Sequence, residues 1–382
     1  MPKATLPIAS LLTAAALLLG TTLTAQATWI VDANNGPGTD FTSLQIAIYS
    51  AAPGDRLFVR AGTYQPGILD RPLAIVGDGN PVVAGNGGYS PGFLVQSLPA
   101  GSLTTITGMV FAAGSLSNES LRVQSGPGTI VLDGVESSLS TSVGASSDVR
   151  FAHSHFLQGL KIENSTCLLD ECQVLPDAGQ TVFSGLNTSS SHVVLNRCQV
   201  TGRSSATLFA TAAIESTSST LVLTDDGTGS IVAGIGALPI AAIRGTGTAQ
   251  IDPHVLLVPS GGAPAVTGVA ATTRARPSLA ITAGPAGGTI DLDLFGTTGE
   301  IYVEAVGLAL PAIYVPGFDD TIWVQPLMHW TAGVFDATGH ALEAIPVPNL
   351  PLVPGFSFTW QAAAFSQTGI TLSNAVSYVH PM

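Results

Sequence analysis

His153, Glu171, Arg197 and Asp225 are the residues of this chain whose types and spacing come nearest to a chemical site. Each occupies the same place in one of four similar strings. Three of them run Val149-Arg150-Phe151-Ala152-His153-Ser154-His155-Phe156, Cys167-Leu168-Leu169-Asp170-Glu171-Cys172-Gln173-Val174 and Val193-Val194-Leu195-Asn196-Arg197-Cys198-Gln199-Val200. A looser match is centred on Leu223, and Ile130 to Val135 carries Gly134 at the same place. If these strings stack, a base, an acid and an arginine lie one rung apart, a set able to bind a sugar polymer or to move protons on one. The plainer expectation is a solvated row of ion pairs, each worth about 0–1 kcal/mol. No catalytic residue is therefore assigned, and His153, Glu171 and Arg197 stand as the candidates. Asp133, Asp170 and Asn196 form a parallel row one residue earlier, where hydrogen bonding along a stack of turns is expected.

Other chemistry is thinner. Asp225-Asp226 and Asp319-Asp320 offer carboxylates to calcium, which takes six to eight oxygens. Two carboxylates do not make such a site, so no cofactor is assigned and calcium is left open. His153 and His155, two apart, share one face of a strand but lack a third metal ligand. No Gly-rich phosphate loop, zinc spacing or Ser-His-Asp arrangement stands out. Asn118-Glu119-Ser120, Asn164-Ser165-Thr166 and Asn187-Thr188-Ser189 match the glycosylation pattern; in a bacterial chain they are expected to carry nothing.

The elements that must position these residues are repeats. Apolar anchors at Ile75, Ile106, Leu132, Phe151, Leu169, Leu195 and Leu223 recur about every 18 to 31 residues, an irregular spacing that fits coils of a parallel β-helix with insertions in the turns. Val193 and Leu195 point inward at period two. The turn at Asn196-Arg197 resets the phase, so Cys198 and Val200 point inward again. An antiparallel sandwich of short strands is the competing reading, but it gives no reason for one string to recur in register. The register also places Cys172 and Cys198 one strand spacing apart, about 4.8 Å. Stacked side chains stay parallel, so buried thiols are expected there in preference to a bridge. Cys167 lies inward in its own column.

Ahead of the repeats stand Phe41-Thr42-Ser43-Leu44-Gln45-Ile46-Ala47, Pro53-Gly54-Asp55-Arg56-Leu57-Phe58-Val59, Gly62-Thr63-Tyr64 and Pro72-Leu73-Ala74-Ile75-Val76-Gly77. Leu44, Ala47, Ile48 and Ala51 lie on one face of a short helix, with Thr42 and Gln45 read as its capping box. Such a helix can close the open end of a β-helix core. This run resembles the opening of right-handed parallel β-helix proteins of the pectin lyase-like superfamily, the pectin methylesterase type in particular. The resemblance covers about 50 residues well and the coils loosely to about residue 276. It implies the fold. The catalytic strings of pectin methylesterases ("Q-D-T-L", "D-F-I-F-G", "L-G-R-P-W") and of pectate lyases ("W-I-D-H", "R-x-P-x-x-R") are absent.

Residues 1–27 read as a secretory signal: Lys3, an apolar run from Ile8 to Leu19, and the cleavage pattern Ala25-Gln26-Ala27. No other stretch is apolar and long enough to span a membrane. Net charge is −13, and loss of Lys3 makes it more negative still. Such a surface repels phosphate backbones, so nucleic acid is excluded as a partner; it also disfavours a polyanion unless a divalent cation bridges the two. Only 10% of residues are charged, against about 25% in a typical soluble domain, and Gly (43) and Pro (25) are abundant, which disfavours long solvated helices. After residue 276 the pattern changes to clear alternation, as in Thr289-Ile290-Asp291-Leu292-Asp293-Leu294, with Ala337-Thr338-Gly339 read as a hairpin turn. The segments Pro285 to Thr289, Pro354 to Ala362 and Leu372 to Ala375 resemble a C-terminal module recurrent in exported bacterial proteins. The expected organisation is a signal peptide at 1–27, a right-handed parallel β-helix with an N-terminal cap at 28–276 and a small β-sandwich at 277–382, all β. The expected function is that of an exported, secreted or cell-surface protein without enzymatic activity, with a structural or glycan-binding role and an extracellular polysaccharide or cell-surface glycan as partner. The alternative is a lyase, esterase or hydrolase acting on such a polysaccharide.

Overall fold

In a computed structural model of the chain the described residues are 26–84, 91–112, 119–176, 184–205, 210–283, 288–314, 321–324, 329–346, 357–366 and 369–379. The signal at 1–27 thus lies almost wholly outside them, as do Asp319-Asp320, Asn118 and the segments at 285–287 and 354–356.

Up to Thr273 every strand-to-strand pairing is parallel, and the strands stack into three faces of a parallel β-helix. One coil shows the path. Leu160–Glu163 lies on one face, a corner follows at Asn164-Ser165, Thr166–Asp170 lies on the next, a corner follows at Glu171-Cys172, and Gln173–Val174 lies on the third. The seven anchors pair in unbroken succession from Ile75 to Leu223. All are buried in one continuous core. The inward column is what register demands: a slip of one residue would turn every apolar side chain outward.

The N-terminal end is closed by α1 (Leu44–Ser50), which buries Leu44, Ala47 and Ile48. Its cap differs from the expected box. Ser43, not Thr42, caps the helix by accepting from the Ile46 N–H. Gln45 instead turns its amide to the backbone of Ile68, accepting from its N–H and donating to its carbonyl. A free sheet edge outcompetes the helix terminus for this side chain.

Beyond Arg276 the strands pair antiparallel. Ser278–Ala283, Thr289–Phe295 and His340–Pro346 form one sheet; Ile301–Gly307, His329–Val334, Ser357–Ser366 and Gly369–Val379 form another. Leu292, Leu294, Phe335, Trp360 and Val376 fill the space between them. The turn at Ala337-Thr338-Gly339 is present, closed by Asp336, but it is not a hairpin. The strands it joins belong to opposite sheets, so it is a corner of the sandwich.

The two parts share a buried seam. Leu168, Val194 and Val222, stacked on the outer side of one β-helix face, pack against Trp323 and Ala375. Arg150, next in the same column, makes a bidentate pair with Asp148 and donates to the Trp323 carbonyl (2.9 Å) and to Thr359 Oγ1 (3.2 Å).

The three cysteines are buried and unbridged. Cys172 and Cys198 sit at the same corner of successive coils, each thiol facing the carbonyl two residues earlier, Asp170 (3.3 Å) and Asn196 (3.2 Å). Ser154 takes the same contact one coil before. Burial pushes the Cys172 and Cys167 thiols well above the ordinary range, which holds them in the unreactive protonated form. In the native full chain, maleimide labelling is therefore expected to leave all three unmodified over the time in which the urea-unfolded chain reacts completely. Rapid native labelling, or a Cys172–Cys198 bridge in a non-reducing peptide map, would contradict this arrangement.

Candidate functional site

Two corners of the β-helix carry ladders of polar side chains. The first holds the residues singled out from sequence. His153, Glu171 and Arg197 stack on successive coils, each with a positive φ near 48°. Gly134 holds the same place one coil earlier (φ 59°), which is why glycine suits it. The column is closed on itself. His153 Nδ1 meets Asp133 (2.8 Å) and Nε2 faces Glu171 (3.8 Å); Arg197 pairs with Glu171 and reaches Asp170 (3.7 Å) and Asp226 (4.0 Å). The hydrogen bond that His153 donates to Asp133 raises the imidazole to about 9, so it is a cation at neutral pH. Burial raises Asp170 to about 6, against the pull of Arg197.

Asp225 does not join the column. The coil adds a turn here, and the Asp225 carboxylate accepts the N–H groups of Thr228 and Gly229. Asp226 accepts from Thr228 in the same turn. Both carboxylates are thus engaged within the turn, and no group of three or more metal-ligating side chains occurs among the described residues. Of the row one residue earlier, Asp170 and Asn196 form a ladder: Asn196 donates to Asp170 (2.6 Å) and accepts from Thr224 (2.9 Å), whereas Asp133 is separated from them by Ala152 and bonds His153. Asn196 also accepts from Ser278 and donates to the Leu279 carbonyl, so it clamps the first sandwich strand to the β-helix.

The second corner was not singled out from sequence. Ser146, Ser165, Ser191 and Ser219 stack there, each just after a residue in the left-handed region: Ala145, Asn164, Ser190 and Ser218. Each serine hydroxyl donates to the carbonyl two residues before it. Each accepts the N–H of the coil below, at 3.0 to 3.2 Å. The inner serines are therefore fully paired; of the outer side chains, Asn164, Ser190, Ser218 and Thr220 are exposed, whereas the Ser147 hydroxyl is buried. A shallow groove of about 930 Å³ runs along this corner. Its described lining includes Ser147, Asn164, Thr166, Ser190, Ser218 and Thr220; His192 is the one titratable side chain, and no Asp, Glu, Lys or Arg contributes.

No protein-family model and no curated protein matches the chain. Solved structures with a similar course are bacteriophage tailspikes and a pectin methyl esterase. The enzymatically active domain of tailspike protein 4 of bacteriophage CBA120 is 10% identical, with a TM-score of 0.39 over 85% of this chain. Tailspike protein 2 of an Escherichia coli O157:H7 bacteriophage is 12% identical, with a TM-score of 0.34 over 94%. In both cases the chain spans 64% of the tailspike's length. The rice weevil pectin methyl esterase is 12% identical, with a TM-score of 0.20, over 72% of this chain and 97% of the esterase. The parallel β-helix here stands on the strand register and not on these likenesses. No helix among the described residues is long and apolar enough to cross a membrane.

Proposed function

We propose that the chain is an exported, non-enzymatic protein of the cell surface or its surroundings that holds a glycan along its serine corner. Export rests on the signal-like segment at 1–27. The observation that carries the binding role is the groove: it offers hydroxyls and an amide on successive coils, and its single imidazole, His192, has no carboxylate beside it in the described lining to complete an acid–base or nucleophilic pair. Hydroxyls and amides both donate and accept, as sugar hydroxyls do. The other polar corner supports the same reading. Its base, acid and arginine neutralise one another, and a general acid with no free proton-transfer partner gives little catalysis.

The test is a panel of extracellular polysaccharides assayed with the full chain for retention and for release of reducing ends or unsaturated products. Retention without cleavage is expected, unchanged by EDTA. Thr166→Trp and Thr220→Trp, at half-buried and exposed strand positions in the groove, should each weaken retention at least tenfold while leaving the melt unaltered. Catalytic turnover of any polymer, or retention indifferent to both substitutions, would overturn the proposal.

A further inference from the structure

The charges around the serine corner narrow a general affinity for sugars to one class of polymer. Taking the groove as the binding site, we infer that its glycan is an uncharged, linear polysaccharide lying along the axis of the β-helix.

The direction comes from the repeat. The triplets Ala145-Ser146-Ser147, Asn164-Ser165-Thr166, Ser190-Ser191-His192 and Ser218-Ser219-Thr220 occupy the corner of four successive coils. Coils stack at the strand spacing of about 4.8 Å, so the rungs cover roughly 15 Å in one line. A polymer lying across the corner would meet one rung; a polymer lying along it meets all four. No Phe, Tyr or Trp is present among the described lining residues, so no rung offers a large ring for a sugar to stack on. Affinity must then accumulate over several weak, repeated hydrogen bonds, which favours an extended chain over a short oligosaccharide.

The absence of charge on the polymer comes from the cations. No Lys or Arg lines the groove among the described residues, and His192 is the one lining side chain there able to take up a proton. The cations on the neighbouring face are each matched by a carboxylate: Arg122 with Glu119, Lys161 with Glu163 (3.0 Å), and Arg244 with Glu215. On the other flank, Arg150 is buried against Asp148 under the sandwich. A uronate or a sulfate in the groove would meet no fixed positive charge and would give up water without a paired ion in return. It would also approach a chain of net charge −13. That repulsion is felt over the ~8–10 Å of screening in ordinary salt.

Matched pairs of polymers separate this inference from the binding role itself. Galactan against polygalacturonate, and mannan against alginate, compare similar backbones with and without carboxylates. Each is run in affinity electrophoresis with the full chain, at low and at physiological salt, with and without calcium. Retardation by at least one neutral polymer, at least tenfold stronger than by its acidic counterpart at both salts, is expected. Disaccharides of the same neutral sugar should compete at least tenfold less well than the polymer. Thr220→Lys should narrow the preference by adding the missing cation, and Thr220→Trp should abolish retardation by the neutral polymer. Equal or stronger retardation by the acidic polymers, lost in Thr220→Trp, would overturn the uncharged ligand and leave the groove as a glycan site. No retardation by any polymer would overturn both.

Discussion

Arg150→Ala is expected to destabilise the folded chain by about 3–5 kcal/mol, the usual cost of breaking a buried ion pair by removing one partner. Asp148 and Arg150 are both buried, and their bidentate pair sits where the β-helix meets the sandwich. Burial raises the Asp148 carboxyl, and Arg150 is the main influence holding it down. Without the guanidinium, Asp148 keeps only the hydrogen bond from Thr129 (3.0 Å), and the Trp323 carbonyl loses a donor. The guanidinium also lies 5.3 Å from the centre of the Trp323 ring, so its loss leaves space beside a fully buried indole. Arg150→Lys keeps the charge but not the planar fork, and should recover only part of the loss. Asp148→Leu with Arg150→Met removes both charges at similar volume and should restore most of it. Urea unfolding followed by tryptophan emission measures all three. A loss under about 1 kcal/mol in Arg150→Ala would show that the seam does not depend on this pair.

The β-helix was legible because its coils repeat one string, and the seven anchors named from sequence all stack, in a column that Leu57 extends at one end and Ile251 at the other. The seam was written in the same strings and was missed. Alternation requires one polar face, yet Leu168-Leu169, Val193-Val194-Leu195 and Leu221-Val222-Leu223 are apolar at consecutive positions. A parallel strand of that kind is buried on both sides. Arg150 lies in the same outward column as Leu168 and Val194, and its charge there marks a covered partner. The serine corner had a local signal too. Asn164-Ser165 puts a residue tolerant of positive φ before a small donor, and Ser190-Ser191 and Ser218-Ser219 repeat the small donor at the same place. Asn164-Ser165-Thr166 was legible as a glycosylation pattern, and that shorter-range match hid the longer-range repeat. The column at His153, Glu171 and Arg197 was read correctly in position. What sequence spacing does not carry is which carboxylate each cation chooses, and that choice leaves the column neutralised. Asp225 follows Thr224, the register partner of Asn196, as expected, but the turn added after it draws its carboxylate to the Thr228 and Gly229 N–H groups and away from the column.

Stability should fall as pH rises from about 4.5 to 8, and Glu304→Gln should remove much of that slope. Glu304 lies inside the sandwich on Ile301–Gly307, with one carboxyl oxygen lacking a hydrogen-bond partner. Glu343, on the opposite sheet, shares its space and accepts from Thr331 (2.7 Å). Burial first, and then the neighbouring carboxylate, raise Glu304 to about 8. Tyr302 is raised by burial and then by the same two carboxylates. The unfolded chain releases the Glu304 proton near 4.5, whereas the folded chain keeps it to about 8. The stabilisation is therefore complete below 4.5, declines between the two values and is gone above 8. Each tenfold difference in proton affinity between the two states is worth about 1.4 kcal/mol, so the loss is on the order of a few kcal/mol. His153 acts in the same sense at a higher window, from 6.5 to about 9, though its exposed position screens the effect. Gln keeps the shape of protonated Glu and carries no proton to lose. Urea midpoints at about pH 5, 6.5 and 8 should thus draw together in Glu304→Gln, leaving a residual decline from Asp170 up to about 6 and from His153 above 6.5. Parallel pH profiles for the variant and the natural chain would mean that Glu304 is ionised in the fold at neutral pH, with a cation or water between the two carboxylates.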